Sequence, residues 1–271
     1  MQTGISTGCL YPMLAEDSVR TLTKLGFQRF EIFFNSFSEL EPDYLDRLHR
    51  FLDSNEASVI SLHPFTSSFE SFLLFTASQR RFSDGLRFYE MYFRAAARLG
   101  AKMVVLHGQY SDYSASLDER EYFSRFDQLQ QRAACYGVTL LQENVRNFRS
   151  KDPDFIRSMI SAIPQSAAFV LDTKQALCSG SDPLTMAQAM GPYLKHIHIS
   201  DNTADNRCVL PGQGSFNFLP LLTHLQNTGY SGDLITEVYR SGFDHTEELL
   251  QSQQYISRLI ETVCHTGRNA L

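Results

Sequence analysis

Short apolar runs alternate with longer amphipathic stretches eight times along the 271 residues of the chain. The apolar runs predict β-strands at residues 3–10, 29–34, 57–63, 101–108, 138–144, 167–172, 193–201 and 233–239. Helices are predicted at about 17–25, 43–52, 80–99, 117–136, 153–163, directly after 182–183, and at 216–228 and 246–263. The stretch 80–99 shows the helical pattern clearly, because its apolar residues recur with a period near 3.6.

Repeated strand–helix units predict parallel strands, because a right-handed crossover returns each strand in the same direction. Eight units with near-continuous apolar strands predict a single-domain (β/α)8 barrel, or TIM barrel, over residues 1–271. A doubly wound open sheet is the alternative. That fold would show a Gly-rich turn after strand 1, whereas Gly4 and Gly8 form no GxGxxG motif.

Composition and charge narrow the class of partner. The formal net charge is −6, with 24 basic and 30 acidic residues. Because no cluster of basic residues is present, nucleic acid is not an expected partner. The N-terminal residues show no signal-peptide pattern, and no apolar stretch is long enough to predict a membrane span. The 5 cysteines are scattered and form no CxxC pair, which favours a reduced, cytoplasmic protein.

Four successive apolar runs in the second half of the chain each end in a side chain that can bind a metal. These residues are Glu143, Asp172, His198 and Glu237, and the intervals between them are close to one strand–helix unit. Strand ends of a barrel converge on one face, so the four side chains are expected to meet there. The alternative for the carboxylates is a salt bridge to Lys174, Arg146 or Arg240. Three carboxylates and one imidazole predict a site for one divalent cation, Mn2+, Mg2+ or Co2+, with Zn2+ also suitable.

Other polar residues occupy the same ends of the predicted strands. His63 and His107 end strands 3 and 4, where they could contact substrate, bind a second metal or have a structural role through hydrogen bonds to neighbours. Glu31 is a weaker candidate on strand 2. His196 shares a face of strand 7 with His198 but lies two residues deeper, so a hydrogen-bonded core histidine is expected there. Charged or amide residues on loops of this face are Arg146, Arg149, Lys174, Gln175 and Arg207.

Several motifs resemble the xylose-isomerase-like barrel superfamily, which holds sugar isomerases, sugar epimerases and the type IV apurinic endonucleases. The motifs are QEN at 142–144, LDTKQA at 171–176, HIHISDN at 196–202, PGQGSFNF at 211–218 and TEVY at 236–239. The resemblance covers nearly the whole chain. It implies that Glu143, Asp172, His198 and Glu237 hold one divalent metal, which is the set reached from the strand ends.

Departures from the superfamily pattern indicate the subgroup. The endonucleases have a histidine three residues after the strand-6 aspartate and an Asp-x-His in the loop after strand 7. This chain has Gln175 at the first position and a DNRCVLPGQG loop without histidine. Two further metals therefore lack ligands, which disfavours phosphodiester hydrolysis. Epimerases also commonly have histidine at position 175, but Gln175 can still donate a hydrogen bond to a sugar hydroxyl.

The resemblance implies a metal-dependent isomerase or epimerase of a sugar or sugar phosphate. Glu143 and Glu237 would exchange a proton through an enediolate intermediate, while Asp172 and His198 mainly hold the metal. The predicted substrate contacts are His63, His107, Gln175 and Arg207. A dehydratase of a keto-sugar or keto-inositol is the first alternative, and a non-catalytic sugar-binding barrel is another. Relatives are often dimers or tetramers, so a homo-oligomer is compatible with this sequence.

Overall fold

A computed structural model of the chain describes residues 1–112 and 117–268. Eight parallel strands form a closed barrel in chain order, and the first strand pairs with the second and the eighth. The strands are β1 (Gln2–Ser6), β2 (Arg29–Phe33), β3 (Ser58–His63), β4 (Met103–Leu106), β5 (Thr139–Glu143), β6 (Phe169–Asp172), β7 (Leu194–Ile199) and β8 (Asp233–Thr236). The predicted single-domain TIM barrel is confirmed. Its predicted extent of 1–271 includes 113–116 and 269–271, which lie outside the described residues.

The helices follow the strands around the outside of the barrel. They are α1 (Ala15–Lys24), α2 (Pro42–Ser54), α3 (Glu70–Leu73), α4 (Gln79–Leu99), α5 (Glu119–Ala134), α6 (Pro153–Ala162), α7 (Thr173–Cys178), α8 (Pro183–Met190), α9 (Phe218–Asn227) and α10 (Glu247–Arg268). The short helices α3 and α7 were not predicted, because a helix of one or two turns shows no clear periodicity. None of the helices in the described part of the chain is long and apolar enough to cross a membrane.

The first strand is shorter than its apolar run. Residues Thr7–Leu10 form a turn of 3-10 helix, and the Ser6 hydroxyl accepts a hydrogen bond from Gly8 N at 3.3 Å. Cys9 and Leu10 are buried, so the run indicated burial correctly but not extended backbone. The prediction of a strand over 3–10 was therefore wrong in its second half. At the other end of the chain, β8 ends at Thr236 and Glu237 begins the following loop.

The buried apolar side chains form two separate groups, one outside the strands and one inside the barrel. The larger core packs the helices against the outer face of the strands. A small apolar cluster of Val105, Leu141, Ala168 and Val170 forms separately. Because side chains alternate along a strand, Leu141 shares the inward face of β5 with Glu143. The apolar cluster thus lies inside the barrel, below the polar side chains at the strand ends.

Candidate metal centre

The four residues predicted from the strand ends lie together at the C-terminal face. One ligand atom each from Glu143, Asp172, His198 and Glu237 lies within 4.8 Å of every other. The first three residues are almost completely buried, and the Glu237 side chain is 17% exposed. Three carboxylates and a histidine at this spacing form the donor set of a divalent cation site.

One nitrogen of His198 lies between two of the carboxylates of this cluster. Nδ1 of His198 is 3.0 Å from Oε2 of Glu237 and 3.5 Å from Oε1 of Glu143. Nevertheless, His198 Nδ1 is a buried atom without a well-aligned hydrogen bond to any described residue. Such an atom costs about 1–3 kcal/mol. A divalent cation coordinated by this nitrogen and the carboxylates around it would remove that cost, so the residues present fit a metal ion.

The position of Asp172 is fixed by its neighbours on both sides. Asn144 Oδ1 accepts a hydrogen bond from Asp172 N at 2.7 Å, and Asn144 Nδ2 donates to Asp172 O at 3.0 Å. The Asp172 carboxylate also caps α7, since its Oδ1 accepts from Gln175 N at 2.9 Å. Burial raises the pKa of Asp172 to about 7, although Lys174 Nζ lies 3.6 Å from Oδ2. The salt bridge considered as the alternative for this carboxylate is thus present with Lys174.

His63 and His107 both approach the outer oxygen of Glu143. Nε2 of His107 is 3.0 Å and Nε2 of His63 is 3.8 Å from Glu143 Oε2. The two Nε2 atoms are 3.2 Å apart. Burial lowers the pKa of His63, but the neighbouring carboxylates of Glu143, Glu237 and Glu31 together outweigh this effect and raise the pKa to about 9. Burial also disfavours the Glu143 carboxylate, yet His107 and the other histidines hold its pKa well below the usual range. These three residues form a second group that could hold a cation, and substrate contact by the histidines stays a prediction.

A buried network holds the segment that carries His107. Gly108 has a φ of +90°, and a side chain at this position would collide with the Tyr122 hydroxyl. Its N–H donates to Oε2 of Glu70 at 2.6 Å. The side-chain amide of Gln142 donates to His107 O at 2.9 Å and accepts from Tyr122 OH. Gln142 lies directly before Glu143, so one strand end positions both members of the His107–Glu143 pair.

Glu31 lies deeper in the barrel, beneath His198. Its Oε2 is 2.9 Å from Nε2 of His198 and 3.2 Å from Nε2 of His196. Burial raises the pKa of Glu31, but the two histidines reverse this effect and lower it well below the usual range. His196 has the hydrogen-bonded interior position expected for it. The sequence indicated Glu31 only weakly, because its contacts come from a strand three positions away around the barrel.

A cavity of about 150 Å³ opens beside the cluster. Its wall is formed by Gly8, Tyr11, Phe33, Lys174, Glu237, Val238 and Tyr239. Lys174 Nζ lies 4.7 Å from the centre of the Tyr239 ring, and Tyr11 and Tyr239 are 55% and 60% exposed. Sequence reasoning missed the aromatic members, since nothing in their local pattern distinguishes them from core residues.

A family model described as "Xylose isomerase-like TIM barrel" matches residues 19–259. The chain belongs to this family. The four-residue cluster at its strand ends therefore lies in the fold of the xylose isomerase-like family. The resemblance inferred from the QEN, LDTKQA and HIHISDN motifs is confirmed.

Relatives of this family member include both uncharacterized and named proteins. An uncharacterized protein of Mycobacterium tuberculosis is 27% identical over 286 residues, covering 94% of this chain and 96% of the relative. An inosose dehydratase of Lacticaseibacillus casei is 27% identical over 99 residues, covering 30% of this chain and 33% of the dehydratase. The crystal structure of a D-tagatose 3-epimerase-like protein superposes with a TM-score of 0.80 at 19% identity, covering 98% of this chain and 99% of that protein. At this identity the superposition shows the fold.

The remaining predicted substrate contacts lie at the edge of the site. Gln175 is half-buried, and its Oε1 accepts a hydrogen bond from Arg146 N at 3.2 Å. Arg207 is exposed, and its Nη1 donates to Leu177 O at 2.9 Å. Arg149 donates to Leu117 O at 2.8 Å and so ties loops together. Gln175 contacts the four-residue cluster through its backbone N–H, which donates to Asp172, while its side-chain oxygen faces Arg146. Contact of Gln175 and Arg207 with substrate stays a prediction.

Proposed function

We propose that the protein is a divalent-metal-dependent isomerase or epimerase of a sugar or sugar phosphate. The observation that carries the proposal is a pair of carboxylates, Glu143 and Glu237, that approach the same ring nitrogen of His198 from the ends of β5 and β8. Their presence in a xylose isomerase-like TIM barrel supports a reaction at a C–H bond next to a carbonyl group.

The two glutamates are the groups that move the proton. One carboxylate removes a proton from the carbon next to the carbonyl and leaves an enediolate. The other returns a proton to the opposite face, which gives epimerisation, or to the adjacent carbon, which gives isomerisation. Burial opposes ionisation of both side chains, but His198 and the neighbouring histidines lower the pKa values of Glu143 and Glu237. Either can therefore be the carboxylate that accepts the proton, while its partner must take up a proton from solvent before it can return one. The configuration of the substrate decides which acts first.

The other residues of the cluster hold and surround the reacting groups. Asp172 and His198 would bind the cation together with the two glutamates. When bound, a divalent cation supplies Lewis-acid polarisation of the carbonyl group. His107 faces Glu143 and can donate a hydrogen bond to a substrate hydroxyl. The rings of Tyr11 and Tyr239 border the cavity beside the site.

Metal analysis of the purified protein tests the first half of this proposal. We expect about one divalent ion per chain, and we expect the stripped protein to take up Mn(II) or Zn(II) again. A protein that is purified without metal and cannot be reloaded with either ion contradicts the proposal. Two ions per chain would assign the second to the group of His63, His107 and Glu143.

Dehydration of a keto-sugar or keto-inositol is a second candidate, which the partial match to an inosose dehydratase favours. The same carboxylates would remove the proton, but the hydroxyl on the neighbouring carbon would leave as water. His107, whose side chain is 18% exposed, can protonate that hydroxyl. Mass spectrometry of the products separates the two reactions, because only dehydration lowers the mass of the sugar by one water.

A further inference from the structure

One buried carboxylate is used neither by the four-residue cluster nor by the proposed proton transfer. Glu31 is completely buried, and its Oε2 lies 2.9 Å from Nε2 of His198. We propose that Glu31 is a positioning residue, which holds the His198 ring by its Nε2–H so that Nδ1 faces the bound cation. The proposal rests on the proposed function, since it requires the cluster to bind a divalent ion.

The two ring nitrogens of His198 face different surroundings. Nε2 faces the Glu31 carboxylate, whereas Nδ1 faces Glu143 and Glu237. An ionised carboxylate can only accept a hydrogen bond, so the nitrogen beside Glu31 must carry a proton. A neutral imidazole then has its lone pair on Nδ1, which is the form that binds a metal.

Glu31 is itself held in place by two further donors. Ser61 Oγ donates to Glu31 Oε2 at 2.7 Å, and His196 Nε2 lies 3.2 Å from the same oxygen. All of these side chains are completely buried. Donors from β3 and β7 therefore converge on one oxygen of a side chain from β2, and the carboxylate cannot rotate without losing them. This arrangement fixes the orientation of the His198 ring before any ion binds.

A role in folding alone makes a different prediction. If Glu31 only satisfied its buried donors, its replacement would lower stability and leave the metal affinity of the folded protein unchanged. A positioning role predicts a loss of affinity, because a carboxylate behind a metal-binding histidine typically contributes about 10–100-fold. Metal affinity therefore separates the two roles.

The first test compares Glu31→Gln with the unaltered protein. Glutamine has the same length, but it replaces one acceptor oxygen with an N–H2 group and carries no charge. Zinc affinity is measured by competition with a chromogenic chelator, and folding is checked by circular dichroism. We expect Glu31→Gln to bind Zn(II) about 10–100-fold more weakly. Glu39→Gln is the matched control. Glu39 is a buried carboxylate in the turn of 3-10 helix at Phe37–Leu40, and it accepts from Ser36 N at 3.0 Å. Within the described part of the chain it has no hydrogen bond or ion pair with a histidine.

The second test needs no variant and so does not depend on the folding of Glu31→Gln. It uses proton–nitrogen correlation spectra of the zinc-loaded protein with 15N-labelled histidine. We expect one ring to bind zinc through Nδ1 while its Nε2–H is protected from exchange with solvent. A His198 ring that coordinates zinc through Nε2, or whose free nitrogen has no proton, overturns the proposal.

The outcomes distinguish this proposal from the proposed function. If the unaltered protein binds no divalent ion, the proposed function fails and the role of Glu31 fails with it. If the protein binds zinc and Glu31→Gln binds it as tightly as Glu39→Gln, only the role of Glu31 is wrong. A selective loss of affinity in Glu31→Gln supports both.

Discussion

The side-chain amide of Asn144 forms two hydrogen bonds with the backbone of Asp172. Its Oδ1 accepts from Asp172 N at 2.7 Å, and its Nδ2 donates to Asp172 O at 3.0 Å. Both residues are buried. The end of β5 thus sets the position of the metal-competent carboxylate at the end of β6.

Replacement of Asn144 by alanine is expected to lower both stability and metal affinity. Two buried backbone groups would lose their partners, which corresponds to a loss of about 2–4 kcal/mol in the free energy of unfolding. Urea unfolding measures this loss, and zinc titration measures the affinity. Asn147→Ala is the control, because Asn147 is exposed in the same loop. Equal stability and affinity in the two variants would show that the two hydrogen bonds between Asn144 and Asp172 have no effect.

Replacement of either proton-transferring glutamate is expected to remove metal and activity together. Glu143→Gln and Glu237→Gln each lose a negative charge and an anionic ligand oxygen from the cluster. We expect less than one tenth of the unaltered protein's bound metal under the same dialysis conditions. Elemental analysis of the purified variants measures this. Glu247→Gln, at an exposed position of α10, should keep its metal. If Glu143→Gln and Glu237→Gln both kept their full metal content, these two glutamates would be excluded as ligands.

The buried carboxyl group of Glu70 is expected to make the stability of the protein depend on pH. Burial raises the pKa of Glu70, although Tyr89 OH and Gly108 N donate hydrogen bonds to it. The folded protein therefore holds this proton more tightly than the unfolded chain, and this contribution to stability is lost as pH rises through the raised pKa. Glu70→Gln has no such proton. We expect the stability of the unaltered protein, relative to Glu70→Gln, to fall as the pH is raised from the ordinary glutamate pKa of about 4.5. Urea unfolding of both proteins at a series of pH values, with chelator present, measures this difference in stability. A difference that stayed constant or rose with pH would contradict a raised pKa of Glu70.

Asp201 organises the loop that carries Arg207. Its carboxylate accepts hydrogen bonds from the backbone N–H groups of Asn202, Gly212, Gly214 and Phe216. In Asp201→Asn, one acceptor oxygen becomes an N–H2 group that opposes two of these donors. We expect faster cleavage between residues 202 and 216 in limited proteolysis. Asp205→Asn, at an exposed position of the same loop, should be cleaved at the unaltered rate. The same rate in both variants would show that the loop does not depend on Asp201.

The barrel and the strand-end cluster could be predicted from sequence because both depend on local patterns. Apolar runs and helical periodicity give the order of the elements, and the closure of eight parallel strands brings equivalent strand ends together. Glu143, Asp172 and His198 were found because each ends an apolar run. Glu237 was found in the same way, although the strand stops one residue earlier.

The supporting contacts could not be predicted, because they join distant parts of the chain. Glu31 meets His198 across the barrel interior, and Glu70 reaches Gly108 from a one-turn helix. Neither pairing leaves a signal in the local sequence around either residue. The orientation of a side chain on a loop, such as Arg207, depends on hydrogen bonds of the whole loop.

Exchange of solvent deuterium into a panel of ketoses and ketose phosphates tests the central claim most directly. The metal-loaded protein is expected to incorporate deuterium at the carbon next to the carbonyl group of at least one substrate. The chelator-treated protein and Glu237→Gln should incorporate none. Absence of exchange in every member of the panel by the metal-loaded protein would contradict the account of this cluster as a site for C–H proton transfer.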